Sequence, residues 1–463
     1  MLAIPGPRPL PLVGWRGNLL AFMRDPPAHL HRMWREHGEI AAVARGSADY
    51  LFVFSPELNR RVLGEPALFH TLDASSSPLR VREGSALARL FDGLIQMNGD
   101  RHRQARRLVA PALHRQRIEA YHAAMAAASH EALAGWRAGE RRDVWRDMRA
   151  LTLSIAVRTF IGLDPAAGGD AAARLLERWM ETVFSLPAVF LPFNVPGTPY
   201  HRLLSLSGRL DAEIRAMVAK RRAAGCEGGD VLSLLMKARD ADGVGLTDDE
   251  LIGQTNFLFM AGHATTASAL TWTLLLLSQH PHVLGEVMDE MGSAGEVPSL
   301  AELAALPLLD AVLHESMRLL PPVTWSARSA AEPAELAGYP VPQGARVIFS
   351  AFVTHRLPEI YPQPARFNPA RWLDRRPDAY EYLPFSAGPR ACLGASFAML
   401  EMKLVLALIL RRFHLSPPPG TTVDPGGMML LSPRRGLPMD VAARDGRLTA
   451  PRVEGRIHQF VEM

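Results

Sequence analysis

The sequence predicts a mainly α fold with small β-sheets. Three observations lead there. The apolar runs are helix-like and rich in Ala, Leu, Met and Arg, the longest extending from Thr247 to about His280. Strand-like runs are short, as in YLFVF (50–54) and RVIFS (346–350). No internal repeat or long linker divides the 463 residues, and a 48% hydrophobic content suffices for a large core.

Composition narrows the function classes. The net charge of +4 comes without the Lys/Arg block of a nucleic-acid binder. Arginines gather around 101–117, 366–376 and 411–412. They fit solvated helix faces or a surface that steers an acidic protein partner. Cys226 and Cys392 are the only cysteines, which excludes a disulfide framework and fits a reducing cytoplasm. The N-terminus shows neither an apolar run of about 20 residues nor a secretory signal, so no membrane anchor is expected. PGPRPLPLVG (5–14) makes residues 1–20 a stiff Pro-rich lead-in.

Residues 26–40 and 56–69 read as short amphipathic helices around the first strands. Residues 70–98 read as irregular, punctuated by Ser75, Ser76, Ser77, Pro78, Gly84 and Gly93. In the helical stretch 99–113, His102 and Arg106 stand four apart on one face. Helices follow over 116–162 and 171–223, around the apolar, Pro-punctuated segment 184–202. That segment fits a lid over a greasy channel or a packed connection. DVLSLLMKARD (230–240) is a short helix.

Thr247 and Glu250 form a capping-box pattern opening the longest helix, which Pro281 stops. Some thirty residues span roughly 45–50 Å. Its middle reads FLFMAGHATTASAL, where Gly262 and a Thr265 hydroxyl bonded back to Ala261 favour a bend. Downstream, Glu315 and Arg318 share a helix face, and FNPARW supplies Arg371. PPVTWSARSA (321–330) reads as strand and turn, and GGMMLLSP (426–433) as a returning turn.

FSAGPRACLG (385–394) then sets Phe385, Gly388, Arg390 and Gly394 around Cys392, with an apolar helical run following at once. A cysteine just before a helix feels its positive end, which favours the thiolate. The two glycines admit a flat, bulky group, and Arg390 suits a carboxylate on its edge. The pattern resembles the haem-binding loop of the cytochrome P450 family of haem-thiolate monooxygenases, as a soluble bacterial-type member. The resemblance covers about Pro5 to Val441, within a catalytic domain at 21–442, and leaves a tail at 443–463.

The resemblance implies a triangular-prism fold and haem b under a long central helix, with Cys392 as the iron ligand. His102, Arg106 and Arg328 would join Arg390 on the propionates. Glu315, Arg318 and Arg371 would form a structural triad. Thr265 would hand protons to dioxygen, with Ala261 leaving room beside Gly262. His263, about 200° around the helix from Thr265, points away and is read as structural. Leu87, Phe91, Phe257, Val323, Thr324, Trp325, Met428 and Met429 are pocket candidates; aromatic and Met side chains fit a core equally well.

One departure stands out: Ala264 replaces the acid that the family usually carries before its Thr. The implied reaction inserts one oxygen atom of O2 into a lipophilic small molecule. NAD(P)H electrons would arrive through a ferredoxin or flavodoxin-type partner and its reductase. Ala264 keeps open peroxide-driven chemistry or nitric oxide reduction, and a sensor without turnover is a rival of another class. No C-x-x-C-H occurs, so covalent haem attachment is not expected.

Overall fold

The computed structural model describes residues 4–72, 79–163, 169–183, 185–293, 295–444 and 450–463. Ser75, Ser76, Ser77, Pro78 and Phe184 lie outside the described residues, as does the start of the tail at 445–449. The chain forms two compact units. The first comprises Met1–His70, Ser129–Ala150 and Thr265–Met463, and the second Thr71–Ala128 and Leu151–Ala264.

The first unit holds the sheets. Tyr50–Val53 pairs in parallel with Arg346–Phe349 and antiparallel with Ile40–Ala42. Ser326–Ala330 runs antiparallel on the other side of Arg346–Phe349, with Phe69–Thr71 at the edge. Leu51, Val53, Val347 and Phe349 fill one buried cluster with Val62 and Leu63 of the helix Pro56–Gly64. A second sheet joins Arg141–Asp143, Pro438–Ala443 and Phe413–Ser416. The helix Ala264–Gln279 is almost wholly buried, and several of its polar side chains bond back within it or to a single carbonyl. Thr271 and Thr273 donate back to the carbonyls of Ala267 and Ala269. Ser268 Oγ and Trp272 Nε1 both donate to the Leu431 carbonyl, at 2.5 and 3.0 Å.

The predicted tail is part of this unit. Ile457, Phe460 and Val461 are buried. Glu454 exchanges backbone hydrogen bonds with Thr421 and Val423, and Glu462 N–H reaches the Ala365 carbonyl. The buried Arg356 guanidinium donates to the Phe352, Leu319 and Phe460 carbonyls. The lead-in also differs from expectation: it turns helical at Trp15, and Trp15–Arg24 runs up to the helix Pro26–His37.

The second unit is helical. Between Thr71 and Asn98 the sequence suggested irregular chain, yet Ala86–Phe91 is a helix, and Ser85 Oγ caps it by accepting from Ala88 N–H. Trp179 is fully buried and donates to Ser207 Oγ at 2.9 Å. Arg89 forks onto Asp211 at 2.7 and 3.0 Å. The helix Asp248–Gly262 opens with the predicted capping box. Its buried Gln254 and Asn256 secure the preceding loop: Gln254 Oε1 accepts from Leu94 N–H, and Asn256 Nδ2 donates to the Leu90 carbonyl.

The longest helix is interrupted once. His263 separates Asp248–Gly262 from Ala264–Gln279. Gly262 serves packing: a Cβ there would lie 2.5 Å from the Phe160 ring. Gly253 is tighter, because a Cβ there would stand 2.2 Å from the Asp92 carbonyl oxygen, a backbone atom that cannot swing aside.

Gly253→Ala therefore reverses the usual helix rule. Propensity alone favours Ala by about 1 kcal/mol. Overpacking against backbone costs about 1–3 kcal/mol. Thermal denaturation should show a lower midpoint for the variant; an unchanged or raised midpoint would mean that the loop carrying Asp92 yields freely.

Candidate functional site

Cys392 lies at the end of a loop shaped by its own backbone. Ser386 has a positive φ of 55°, as does Gly388 at 72°. Ser386 N–H bonds the Leu383 carbonyl, and Cys392 N–H bonds the Phe385 carbonyl at 2.8 Å. A Cβ on Gly388 would meet the Leu63 carbonyl oxygen at 2.4 Å. Gly388 is thus required by its conformation and by the neighbouring chain. Gly394 is the N-cap of the helix Ala395–Arg412, and a Cβ there would stand 3.8 Å from Cys392 Sγ. Cys392 is exposed and forms no disulfide.

A buried carboxylate anchors the loop from behind. Glu315 is fully buried and takes Arg318 Nε and Nη2 at 2.8 and 2.9 Å. It also accepts from Arg371 Nε at 3.0 Å, Trp372 Nε1 at 2.8 Å and Asn368 N–H at 2.9 Å. Burial pushes its pKa up, but the hydrogen bonds and charge of Arg318, with Arg371 and Asn368, outweigh burial and hold it below the usual range. Arg318 spends its remaining donors on the carbonyls of His355, Pro364 and Arg366.

His355 passes this order to the cysteine loop. Its Nε2 accepts from Leu383 N–H at 2.8 Å, so the proton sits on Nδ1, 3.1 Å from the Arg318 carbonyl. Burial, then the Arg318 charge, push its pKa down to about 3. Tyr382, one residue before Leu383, donates to the His314 carbonyl at 2.9 Å. Sequence reasoning missed His355, Trp372 and Tyr382. Only the proximity of Trp372 to Arg371 in FNPARW hinted at any of them.

Arg328 is another buried cation of this unit; unlike Arg356, which donates to three carbonyls, it donates to one. It is 7% exposed, its Nη1 donates to the Ala327 carbonyl, and its guanidinium lies over Phe349. No carboxylate among the described residues lies within ion-pair reach of it. Burial, then the nearby Arg390 charge, lower its pKa to about 10. A buried guanidinium without a carboxylate, as at Arg328, suits an anionic group brought by a ligand. An exposed cysteine beside glycine, with arginines suited to carboxylates, is a donor set that fits a haem with its thiolate ligand and propionates.

The predicted pocket residues of this unit converge in part. Val323 pairs antiparallel with Leu430, and Leu431 N–H bonds the Pro322 carbonyl at 2.8 Å. Trp325 Nε1 donates to the Met428 carbonyl at 2.7 Å, and its ring packs on Phe22. Met429 is 37% exposed. Thr324 is buried, its carbonyl accepting from Ser350 Oγ and Phe352 N–H. Thr265 is half-buried.

In the second unit, His102 is buried and Arg106 half-buried, while Arg101, Arg103 and Arg107 are exposed. Leu87 is buried in its helix, and Phe91 packs its ring on Trp179. Ala264 and the full length of Leu251–Asn256 are buried, whereas Phe257 is half-buried and Ala261 exposed. His263 is buried, with Nδ1 2.9 Å from the Phe259 carbonyl. Its own carbonyl accepts from Thr152 Oγ1, a structural placement.

The family profile described as Cytochrome P450 matches residues 4–437. Cyclooctat-9-en-7-ol 5-monooxygenase of Streptomyces melanosporofaciens is 33% identical over 90% of each chain. Cyclooctatin synthase of the same organism is 32% identical over 92% of this chain and 93% of its own. Among solved structures, retinoic acid bound cyanobacterial CYP120A1 is 26% identical, with a TM-score of 0.83 over 95% of this chain and 99% of its own. Among the described residues no helix is long and apolar enough to cross a membrane.

Two stability measurements probe the anchor. Glu315→Gln leaves Arg318 buried without its counter-charge and should cost about 3–5 kcal/mol in denaturant unfolding. A cost near zero would make the carboxylate dispensable. His355 takes a proton only near pH 3 when folded but near 6.5 when unfolded. Stability is therefore lost as pH falls from about 6.5 towards 3, at about 1.4 kcal/mol per pH unit for this group. His29, lowered to about 4, adds a slope of the same sign. His355→Gln should flatten the profile by about one proton; an unchanged slope would mean that His355 does not titrate this way.

Proposed function

The chain belongs to the cytochrome P450 family and is a haem monooxygenase, and from that premise we propose that it inserts one oxygen atom of O2 into a lipophilic small molecule by hydroxylation or epoxidation. The observation that carries the site assignment is Arg328, a buried guanidinium without a carboxylate, within the field of Arg390 and on the unit that bears Cys392. Cys392 would ligate the iron, and Arg328 and Arg390 would hold propionates. His102 and Arg106 take the same role by family resemblance. When bound, the haem supplies the activation of dioxygen, which thiolate electron density favours.

The remaining tasks belong to the protein's own side chains. The Glu315–Arg318–His355 chain of contacts fixes Leu383 and so the loop that presents Cys392. Phe385 would keep water from the sulfur. Thr265 Oγ1 moves protons towards dioxygen. Ala264 has no proton to give, so an ordered water or a polar group on the substrate completes the relay. Val323, Met428 and Met429 supply apolar surroundings on the unit that bears Cys392. The names of the two Streptomyces relatives support a largely hydrocarbon substrate and a place in secondary metabolism. Electrons come from NAD(P)H through a separate ferredoxin or flavodoxin-type protein and its reductase, in the cytoplasm.

Ala264 favours one second reading, oxidation driven by peroxide, which brings its own oxygen and protons. Peroxide turnover exceeding that with reductase partners would select it.

Cys392→Ala should abolish both the thiolate-shifted absorption band of the reduced carbonyl complex and product formation; retention of both would overturn the ligand assignment. Thr265→Ala should lower product yield more than oxygen consumption, whereas equal loss would remove Thr265 from proton delivery. Ala264→Asp should raise product per electron with some substrates if the missing acid limits the reaction, and no change across a lipophilic panel would show that it does not.

A further inference from the structure

Behind the cysteine loop, on the unit that bears it, oxidisable rings touch one another. Tyr382 and Trp372 lie with ring centroids 4.5 Å apart, and Trp372 stacks on His314 at 5.2 Å. His314 in turn stands 5.5 Å from Tyr382, so the three rings meet pairwise. We propose that Tyr382 is a one-electron relay, a reading that rests on the haem site assigned to Cys392. It gives its electron to that site and its proton to His314, and a soluble reductant restores it through Trp372.

A base stands ready for the proton. The cation of a phenol is a strong acid, so a tyrosine loses its electron readily only when its proton can leave as well. Burial, then the neighbouring Tyr361 and Glu315, push the Tyr382 pKa well above the ordinary range, so the proton does not leave alone. His314 Nδ1 lies 3.1 Å from Tyr382 Oη, within reach for proton transfer. On its far side, His314 Nε2 faces Asp310 Oδ2 at 3.4 Å, and Lys403 Nζ holds the other oxygen at 2.5 Å. Burial raises the Asp310 pKa, but the hydrogen bonds of His314 and Lys403 outweigh it and bring it down to about 2. A carboxylate at Nε2 favours the tautomer with its proton there, which leaves a lone pair on Nδ1. The same carboxylate then stabilises the imidazolium that forms.

Packing does not call for this base. Tyr382 Oη already donates to the His314 carbonyl at 2.9 Å, so the hydroxyl is satisfied without Nδ1. The neighbouring rings are served differently. Tyr361 donates to the Glu381 carbonyl at 3.1 Å, which cannot take the proton. His355, 5.2 Å from Tyr382, has its Nε2 occupied by Leu383 N–H and its Nδ1 turned to the Arg318 carbonyl.

The relay has an inner and an outer end. Tyr382 stands three residues before Phe385, whose carbonyl accepts from Cys392 N–H at 2.8 Å. One hydrogen bond and a short run of backbone therefore join it to the iron ligand. Outward, Trp372 and His314 are both half-buried and reach the surface. Trp372 Nε1 donates to Glu315 Oε2 at 2.8 Å, and that carboxylate favours a transient positive charge on the indole.

The oxidant is a peroxide acting at the haem when no substrate is bound. Tyr382 loses one electron to the haem site and its hydroxyl proton to His314 Nδ1, which leaves a neutral phenoxyl radical and an imidazolium. A one-electron reductant of the ascorbate class then returns the electron through Trp372, and the proton goes back to Oη. Two such cycles, with two protons from solvent, convert one hydrogen peroxide to two waters. Oxidising equivalents that no substrate uses thus leave the site without damaging it.

The test mixes the haem-loaded, substrate-free full chain with hydrogen peroxide and freeze-quenches it for electron paramagnetic resonance. A radical signal that narrows when the tyrosines are ring-deuterated is expected. Tyr382→Phe should abolish it with the reduced carbonyl band unchanged, and haem bleaching by peroxide should become several-fold faster. His314→Gln should lower the radical yield about tenfold and remove the coupling to an exchangeable proton seen on transfer to D2O. Trp372→Phe should leave the radical in place but slow its quenching by ascorbate several-fold. Should Tyr382→Phe load haem poorly, the exchangeable-proton coupling and its loss in His314→Gln carry the same test. No radical in a wild type with an intact carbonyl band, or equal signals in wild type and Tyr382→Phe, would overturn the relay alone. A wild type without the carbonyl band would overturn the haem site and the relay together.

Discussion

Everything around the cysteine loop depends on one buried negative charge. Glu315 has no water to solvate it, and a lone carboxylate in such a place is costly. Arg318, Arg371, Trp372 and the Asn368 backbone surround it so completely that it stays ionised. The arrangement fixes more than itself. Arg318 is held in one rotamer, so its outer donors can organise three carbonyls, and the His355 ring stands at the only tautomer that serves both its neighbours. A single charge thus sets the position of Leu383, and the loop to Cys392 begins there.

The sequence revealed those parts whose chemistry is local. The Thr247–Glu250 cap is a four-residue pattern and is present as read. The spacing of Phe385, Gly388, Arg390 and Gly394 around Cys392 foretold a tight loop before a helix, because positive φ and a missing Cβ are properties of single positions. Glu315, Arg318 and Arg371 could be placed because two sit on one helix face and the third belongs to a compact motif.

What stayed hidden depends on distant partners. Nothing in FVTHRLP marks His355 as a link between Arg318 and Leu383, which are far apart in sequence. Gln254 and Asn256 looked like ordinary polar residues of a helix, yet they satisfy backbone groups of the 90–94 segment. The helix Ala86–Phe91 escaped notice because six residues show little periodicity, and a Ser85 cap is a weak signal. The bend that Gly262 favours is present as the break at His263, but the contact of Gly262 with Phe160 is a tertiary fact that no local pattern shows. The tail gave no pattern at all, because its anchors are the carbonyl partners of Arg356 and the strands around Thr421 and Ala365.

That tail also bears on the order of synthesis. The second unit is built wholly from residues between Thr71 and Ala264. The first unit needs both halves of the chain: Asp25 pairs with Arg456, and Arg356 waits for the Phe460 carbonyl. On the ribosome, the early segment around Pro26–His37 must therefore remain incompletely packed until residue 460 has emerged. The unit that carries Cys392 closes only when its early and late segments have met.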